Sequence, residues 1–64
     1  MKVDDLRLGQ TYQVTDSTML CVLTNFYSKK GFVKYHLLRG GKKSRKGIIV
    51  RTEIFVQKVK PYEP

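Results

Sequence analysis

The chain has 64 residues, of which 41% are hydrophobic, with four Tyr and three Phe, and its thirteen Lys and Arg against five Asp and Glu give a net charge of +8. This size allows one domain, which we place across residues 1–64, and the apolar content excludes a disordered basic tail. One cysteine and one histidine exclude an internal disulfide and a zinc site of the usual Cys and His spacing.

The first half of the chain reads as a lead-in and two strands. Residues 1–9 end in a glycine that favours a bend. Thr11 to Thr15 alternates apolar and polar residues, as a half-buried strand does, and Asp16-Ser17 supplies turn chemistry. The longest strand candidate, Thr18 to Tyr27, is apolar on both faces near its middle. We therefore expect it to curl and to serve two sides of a closed sheet.

A hairpin joins this long strand to the next one. Ser28-Lys29-Lys30-Gly31 has the length and composition of a turn between antiparallel strands. The strand that follows, Phe32 to Leu38, alternates strictly, and its two faces differ in polarity. The face predicted to enter the core holds Val33, Tyr35 and Leu37. The face predicted to meet solvent holds Phe32, Lys34, His36 and Leu38.

The last third of the chain predicts a short strand, one helical turn and a final strand. Gly47 to Arg51 places Ile48 and Val50 inward. Thr52 to Phe55 reads as a single helical turn capped by the threonine, and Val56 to Lys60 reads as the last strand. Five short strands with almost no amphipathic helix predict an all-β fold closed into a small barrel.

The order of these elements resembles the small SH3-like barrels, the group that includes KOW, Tudor-like and translation-factor amino-terminal domains. The resemblance rests on Gly9 before Tyr12-x-Val14, on the long second strand, and on the closing pattern Val50-Arg51-x-x-x-Phe55-x-x-x-Val59. It implies a five-stranded SH3-like barrel with a one-turn helix before the last strand. Members of such families bind RNA, ribosomes, DNA or other proteins, and a shared fold does not choose among these ligands.

The positive charge is concentrated in one part of the chain. Nine cations lie between Ser17 and Thr52, and this interval contains no Asp or Glu. Five of the nine fall in Arg39 to Lys46, which has two glycines and no apolar side chain, so we expect a basic hairpin tip that contacts phosphates. The predicted binding residues are Lys29, Lys30, Phe32, Lys34, Arg39, Lys42, Lys43, Arg45, Lys46 and Arg51.

Two functions fit these residues. The first is a non-catalytic module that binds RNA, the ribosome or the backbone of DNA, with Phe32 stacking on a base and with Phe26, Tyr27 and Tyr12 expected to pack in the fold. The alternative is a protein-interaction module that docks an acidic partner, such as a small accessory or phage-type host-modulating protein. We expect no enzyme activity, cofactor or metal, since His36 has no acid near it in sequence and Cys21 lies in an apolar run.

No apolar run is long enough to cross a membrane, and the start of the chain has no apolar signal core. We therefore expect no membrane partner and a cytoplasmic, reducing compartment. The patterns do not predict an oligomeric state.

Overall fold

The computed structural model describes residues 2–27 and 29–62, and these form a mostly β structure with one short helix. A short 3-10 helix at Val3–Asp5 opens the chain. The elements that follow are β1 (Thr11–Val14), β2 (Leu20–Tyr27), β3 (Phe32–Arg39), β4 (Lys42–Lys43), β5 (Ile48–Arg51), α1 (Thr52–Lys58) and β6 (Val59–Pro61). The all-β expectation is confirmed at this level.

The strands form one antiparallel sheet of six strands rather than a closed barrel of five. Their order is β4-β3-β2-β1-β6, and β5 pairs with β3 on the same edge as β4. The extra strand, β4, comes from the basic segment, which pairs with the end of β3 instead of looping free. Among the described residues β5 and β6 do not pair, because α1 fills the connection between them and β6 instead pairs with β1.

A β-bulge divides the long strand β2. Leu23 lies opposite Tyr35 and Asn25 lies opposite Lys34, so Thr24 is the extra residue. The Thr24 hydroxyl donates to the carbonyl oxygen of Lys34 at 3.2 Å and so satisfies an acceptor where the ladder is interrupted. Because one extra residue reverses the alternation, every side chain after the bulge changes face. The long strand therefore serves both faces through a register shift at Thr24 rather than by closing a barrel.

The core lies on one face of the sheet, which we call the core face. Phe55 of α1 packs between two tyrosines, with ring centroids 5.7 Å from Tyr12 in an edge-to-face arrangement and 5.2 Å from Tyr35. The fully or almost fully buried residues are Leu6, Tyr12, Cys21, Leu23, Val33, Phe55 and Val59. Tyr35, Leu37, Val50 and Val56 pack against them, so the predicted inward faces of the third strand and of the strand ending at Arg51 are confirmed.

The lead-in closes one end of this core. The Leu6 side chain is buried, and the backbone N–H of Arg7 donates to the Tyr12 hydroxyl at 2.9 Å. Tyr12 is fully buried, and this hydrogen bond gives its hydroxyl a partner. Polar atoms buried in an apolar core need such partners.

The helix is longer than predicted, and the last strand is correspondingly shorter. α1 runs over seven residues, and the backbone N–H of Val59 closes it on the carbonyl oxygen of Phe55. Phe55 and Val59 are both buried, and their spacing of four suits a helix as well as it suits an alternating strand. Thr52 begins the helix rather than capping it, and its N–H donates to the carbonyl oxygen of Gly31 at 2.9 Å.

Within the described ranges, no helix has the length and apolarity that a bilayer crossing demands.

We predict that Phe55→Ala unfolds this domain or nearly so. Removing a buried phenylalanine costs about 3–5 kcal/mol, and a core of this size supplies only about 3–5 kcal/mol in total. The matched control is Ile54→Ala, because Ile54 lies beside Phe55 on the same helix but is 38% exposed. Thermal unfolding followed by circular dichroism separates the two variants, and similar melting temperatures would contradict the packing described above.

Candidate nucleic-acid interface

The second face of the sheet, the outer face, carries the cations that alternation predicts. In antiparallel pairs, directly opposite residues share a face. Phe32 lies opposite Tyr27 and Arg51, and Lys34 lies opposite Asn25 and Ile49. Further along β3, the opposite pairs on this face are His36 with Val22, Leu38 with Leu20, and Leu38 with Lys43. The outer face thus alternates cations with apolar side chains, and Ile49 is 56% exposed.

The basic segment is a hairpin tip, as predicted, but a more ordered one. Arg39 lies opposite Lys42, and the two residues between them, Gly40 and Gly41, have φ values of 56° and 80°. Positive φ at both central positions is what a two-residue type I′ turn requires, and glycine adopts it without strain. The turn matches the twist of the flanking strands and holds Arg39, Lys42 and Lys43 exposed at one end of the sheet.

A second irregularity lies between β4 and β5, which pair with the same edge of β3. Two residues of β3 face the four residues from Ser44 to Gly47, so the edge strand bulges outward between β4 and β5. The Ser44 N–H donates to the carbonyl oxygen of Leu37 at 2.8 Å, and the Ser44 carbonyl oxygen lies 2.8 Å from Nδ1 of His36. Because a carbonyl oxygen only accepts, the His36 ring carries its proton on Nδ1 and donates it here.

His36 therefore fixes the loop that presents Arg45 and Lys46. A Cβ atom on Gly47 would collide with the Lys34 side chain and come within 3.1 Å of Nε2 of His36, so only glycine leaves room for both side chains. The imidazole is thus a structural hydrogen-bond donor among cations, with the lysine and arginine side chains of the loop exposed around it.

The two basic hairpins lie at opposite ends of β3. Lys29 and Lys30 precede its first residue, and Arg39 is its last. At about 3.3 Å per residue the two ends are separated by roughly 23 Å. Lys34 lies between them on the outer face, and Arg51 lies on that face opposite Phe32, at the start of β3. Arg39 and Lys42 form a pair on the opposite side of the sheet, so the predicted residues form a band that follows β3 rather than one compact cluster.

The turn between β2 and β3 brings three aromatic rings beside two lysines. We call this region the aromatic end, and its residues are Phe26, Tyr27, Lys29, Lys30, Phe32 and Ile49. Phe26 and Tyr27 are each 36% exposed, and Phe32 is half-buried. Two adjoining clefts of about 300 Å³ each occur here, and Tyr27 and Lys30 line both of them. Ser28, part of the predicted turn, lies outside the described residues.

Sequence reasoning placed Phe32 at the surface correctly but missed Tyr27 and Ile49 as site residues. Strict alternation put Tyr27 on the same face as Cys21 and Leu23, whereas the bulge at Thr24 moves it to the outer face, opposite Phe32. The available signal was the polar pair Thr24-Asn25, which interrupts an otherwise apolar strand. Tyr12 is buried, as expected.

The reactive side chains lie away from this surface. Cys21 is fully buried, as predicted, and burial raises the pKa of its thiol from 9.0 to about 11. Burial, together with the neighbouring Cys21, also raises the pKa of Tyr35. Among the residues that the structure describes, no three His, Cys, Asp or Glu side chains come together as metal ligands would.

Comparison with protein-family models, with curated proteins and with solved structures found no match to this chain.

The buried thiol predicts a pH dependence of stability. Between about pH 9 and 11 the unfolded chain releases the Cys21 proton while the folded protein keeps it, so the free energy of unfolding falls as the pH rises. We expect this group to contribute a slope of at most about 1.4 kcal/mol per pH unit in that window and nothing below it.

Urea unfolding of the native chain and of Cys21→Ala at several pH values measures this contribution. The lysines and tyrosines titrate in both proteins, so the difference between the two slopes reports the thiol together with its effect on the neighbouring Tyr35. Parallel curves would show that the thiol titrates alike in the folded and unfolded states, and would contradict its burial.

Proposed function

We propose that this protein is a non-catalytic module that binds RNA, including ribosomal RNA, or the backbone of DNA. The supporting observation is the band of cations along β3 and its two hairpins, in which Lys34, Lys43 and Arg51 lie on the face that the core does not use. No carboxylate occurs between Ser17 and Thr52, so no acidic side chain of this segment competes with a phosphate. Neutralising phosphates releases condensed counterions, and this release supplies most of the affinity of such surfaces.

The shape of the band favours recognition of backbone and shape over recognition of a DNA sequence. A recognition helix that reads base edges must lie free in the major groove. α1 has only seven residues, and it packs on the core face through Phe55. Cations spread along a strand and its two hairpins can instead follow a chain of phosphates without reading bases.

The order of elements supports the resemblance to SH3-like barrels. The run β1-β2-β3-β5 followed by α1 and a last strand is the order implied by that resemblance. We propose this relationship at the level of strand order, and it is compatible with ligands of several kinds.

The alternative, an acidic protein partner, is supported by the apolar side chains among the cations. Ile49 lies directly opposite Lys34 and is 56% exposed, and protein interfaces combine apolar centres with polar rims. Complex formation that survives nuclease treatment would favour this function over the first.

The cations of the basic hairpin provide the direct test. If about five cations contact phosphates, the logarithm of the binding constant should fall against the logarithm of salt with a slope of roughly −3.5 to −4.5. Replacing Lys42, Lys43, Arg45 and Lys46 by Gln should reduce the magnitude of that slope by about one unit for each residue that contacts a phosphate. The melting temperature should change little, because all four side chains are exposed.

A charge-matched control separates local contact from net charge. Lys42→Gln with Lys43→Gln and Lys2→Gln with Lys58→Gln remove the same charge, but the second pair lies outside the cation band. Fluorescence anisotropy with labelled RNA at several salt concentrations should show loss of affinity for the first pair only. Equal losses for both pairs, or no binding by the native chain at low salt, would contradict the proposal.

A further inference from the structure

We infer that the aromatic end takes an unstacked base, so that the preferred ligand is single-stranded nucleic acid. This inference rests on the proposed function and narrows its ligand class. The band of cations supplies the backbone contacts, and the aromatic end adds a contact that a duplex cannot use.

The first observation is the placement of two rings side by side. The bulge at Thr24 puts Tyr27 on the outer face directly opposite Phe32, and Arg51 lies on the other side of Phe32. Opposite residues in an antiparallel pair have Cβ atoms about 4.5–5.5 Å apart. Two rings and a guanidinium group therefore form one row across three strands, which is a surface suited to a flat aromatic ligand.

The second observation is that hydrogen bonds hold this row in place. The N–H groups of Lys30 and Gly31 both donate to the carbonyl oxygen of Tyr27, at 3.0 and 2.9 Å. Gly31 has a φ of 74°, which glycine adopts without strain, and its own carbonyl oxygen accepts from Thr52 at the start of α1. The turn is thus tied to the helix that carries Phe55, and a ligand meets a surface that is already ordered.

The third observation is that these rings lie outside the buried core cluster, although Phe26 pairs with Val33 on the core face. β1 pairs with β2 only as far as Val22, and backbone hydrogen bonds of Gly9 and Gln10 with Leu23 extend this pairing by one residue. The end of β2 projects past that point, and both Phe26 and Tyr27 are 36% exposed there. Exposed aromatic side chains grouped beside charged ones mark surfaces that contact a ligand.

The residues that line the two clefts indicate the kind of ligand that fits them. Each cleft combines aromatic walls with at least one lysine, and Tyr27 and Lys30 line both. A ligand that fills them offers a flat apolar ring and a negative charge close to it. A nucleotide in a single strand offers both, whereas a base in a duplex is already stacked and paired.

A surface that contacts only the backbone and a surface that also stacks a base should differ in their preference between a duplex and a single strand. A duplex has the higher charge density and releases more counterions per cation, with slopes of about −0.9 against −0.7 per phosphate contact. A surface that uses charge alone therefore binds a duplex at least as tightly as a single strand. A surface that also stacks a base binds the single strand more tightly.

Three probes of matched length test this inference: an oligouridylate, an RNA duplex, and an abasic oligomer that keeps the sugar-phosphate backbone. We expect the oligouridylate to bind about 5- to 100-fold more tightly than the abasic oligomer for one stacked base, and more tightly than the duplex. Tyr27→Ala should remove this advantage without altering the affinity for the abasic oligomer, and Tyr27→Phe should retain it.

Tyr62→Ala is the matched control, because Tyr62 is 37% exposed and follows β6, away from the aromatic end. It should leave all three affinities unchanged. If Tyr27→Ala does not fold, photocrosslinking of the native chain to oligomers that contain 4-thiouridine replaces it. Adducts at Phe26, Tyr27 or Phe32 support the inference, and adducts confined to other residues overturn it.

The two proposals fail in different ways. Salt-dependent binding of all three probes, with the duplex equal to or tighter than the single strand, overturns the stacking inference and leaves the proposed function intact. Absence of binding to every probe at low salt overturns both. Binding of polyglutamate as tight as that of the oligouridylate also overturns the inference, because it would show that charge alone is recognised.

Discussion

The packing of Phe55 against Tyr12 and Tyr35 is the contact on which the rest of the structure depends. It joins α1, the only α-helix of the described residues, to two strands of the sheet and places the whole core on one face. A chain of 64 residues has too few apolar side chains to form a second core. The opposite face is therefore left to solvent, and it can carry cations without burying any of them.

Two irregularities in otherwise regular strands position the candidate interface. The bulge at Thr24 rotates the end of β2 and exposes Tyr27 beside Phe32. The bulged segment after Ser44, held by the His36 ring, carries Arg45 and Lys46 outward at the other end of β3. Bulges commonly occur where a sheet must re-aim side chains for function, and here one lies near each end of the cation band.

The band combines two kinds of contact on one rigid strand. Lys34 lies between the basic hairpin and the aromatic end, and Arg51 lies beside Phe32, so a ligand that runs along β3 meets cations at several points and aromatic rings at one end. This asymmetry gives the surface a direction. A polyanion bound through charge alone can slide along such a band, whereas a stacked base sets its register.

The sequence by itself determined the all-β character, the inward face of β3, the burial of Cys21 and the local concentration of positive charge, because alternation and charge depend only on nearby residues. It did not predict α1 beyond one turn, since Phe55 and Val59 fit either element, nor the open six-stranded sheet. Only the tertiary structure decided that Tyr27 reaches the outer face. Its position depends on which residues pair across strands, and one extra residue in one strand changes that register.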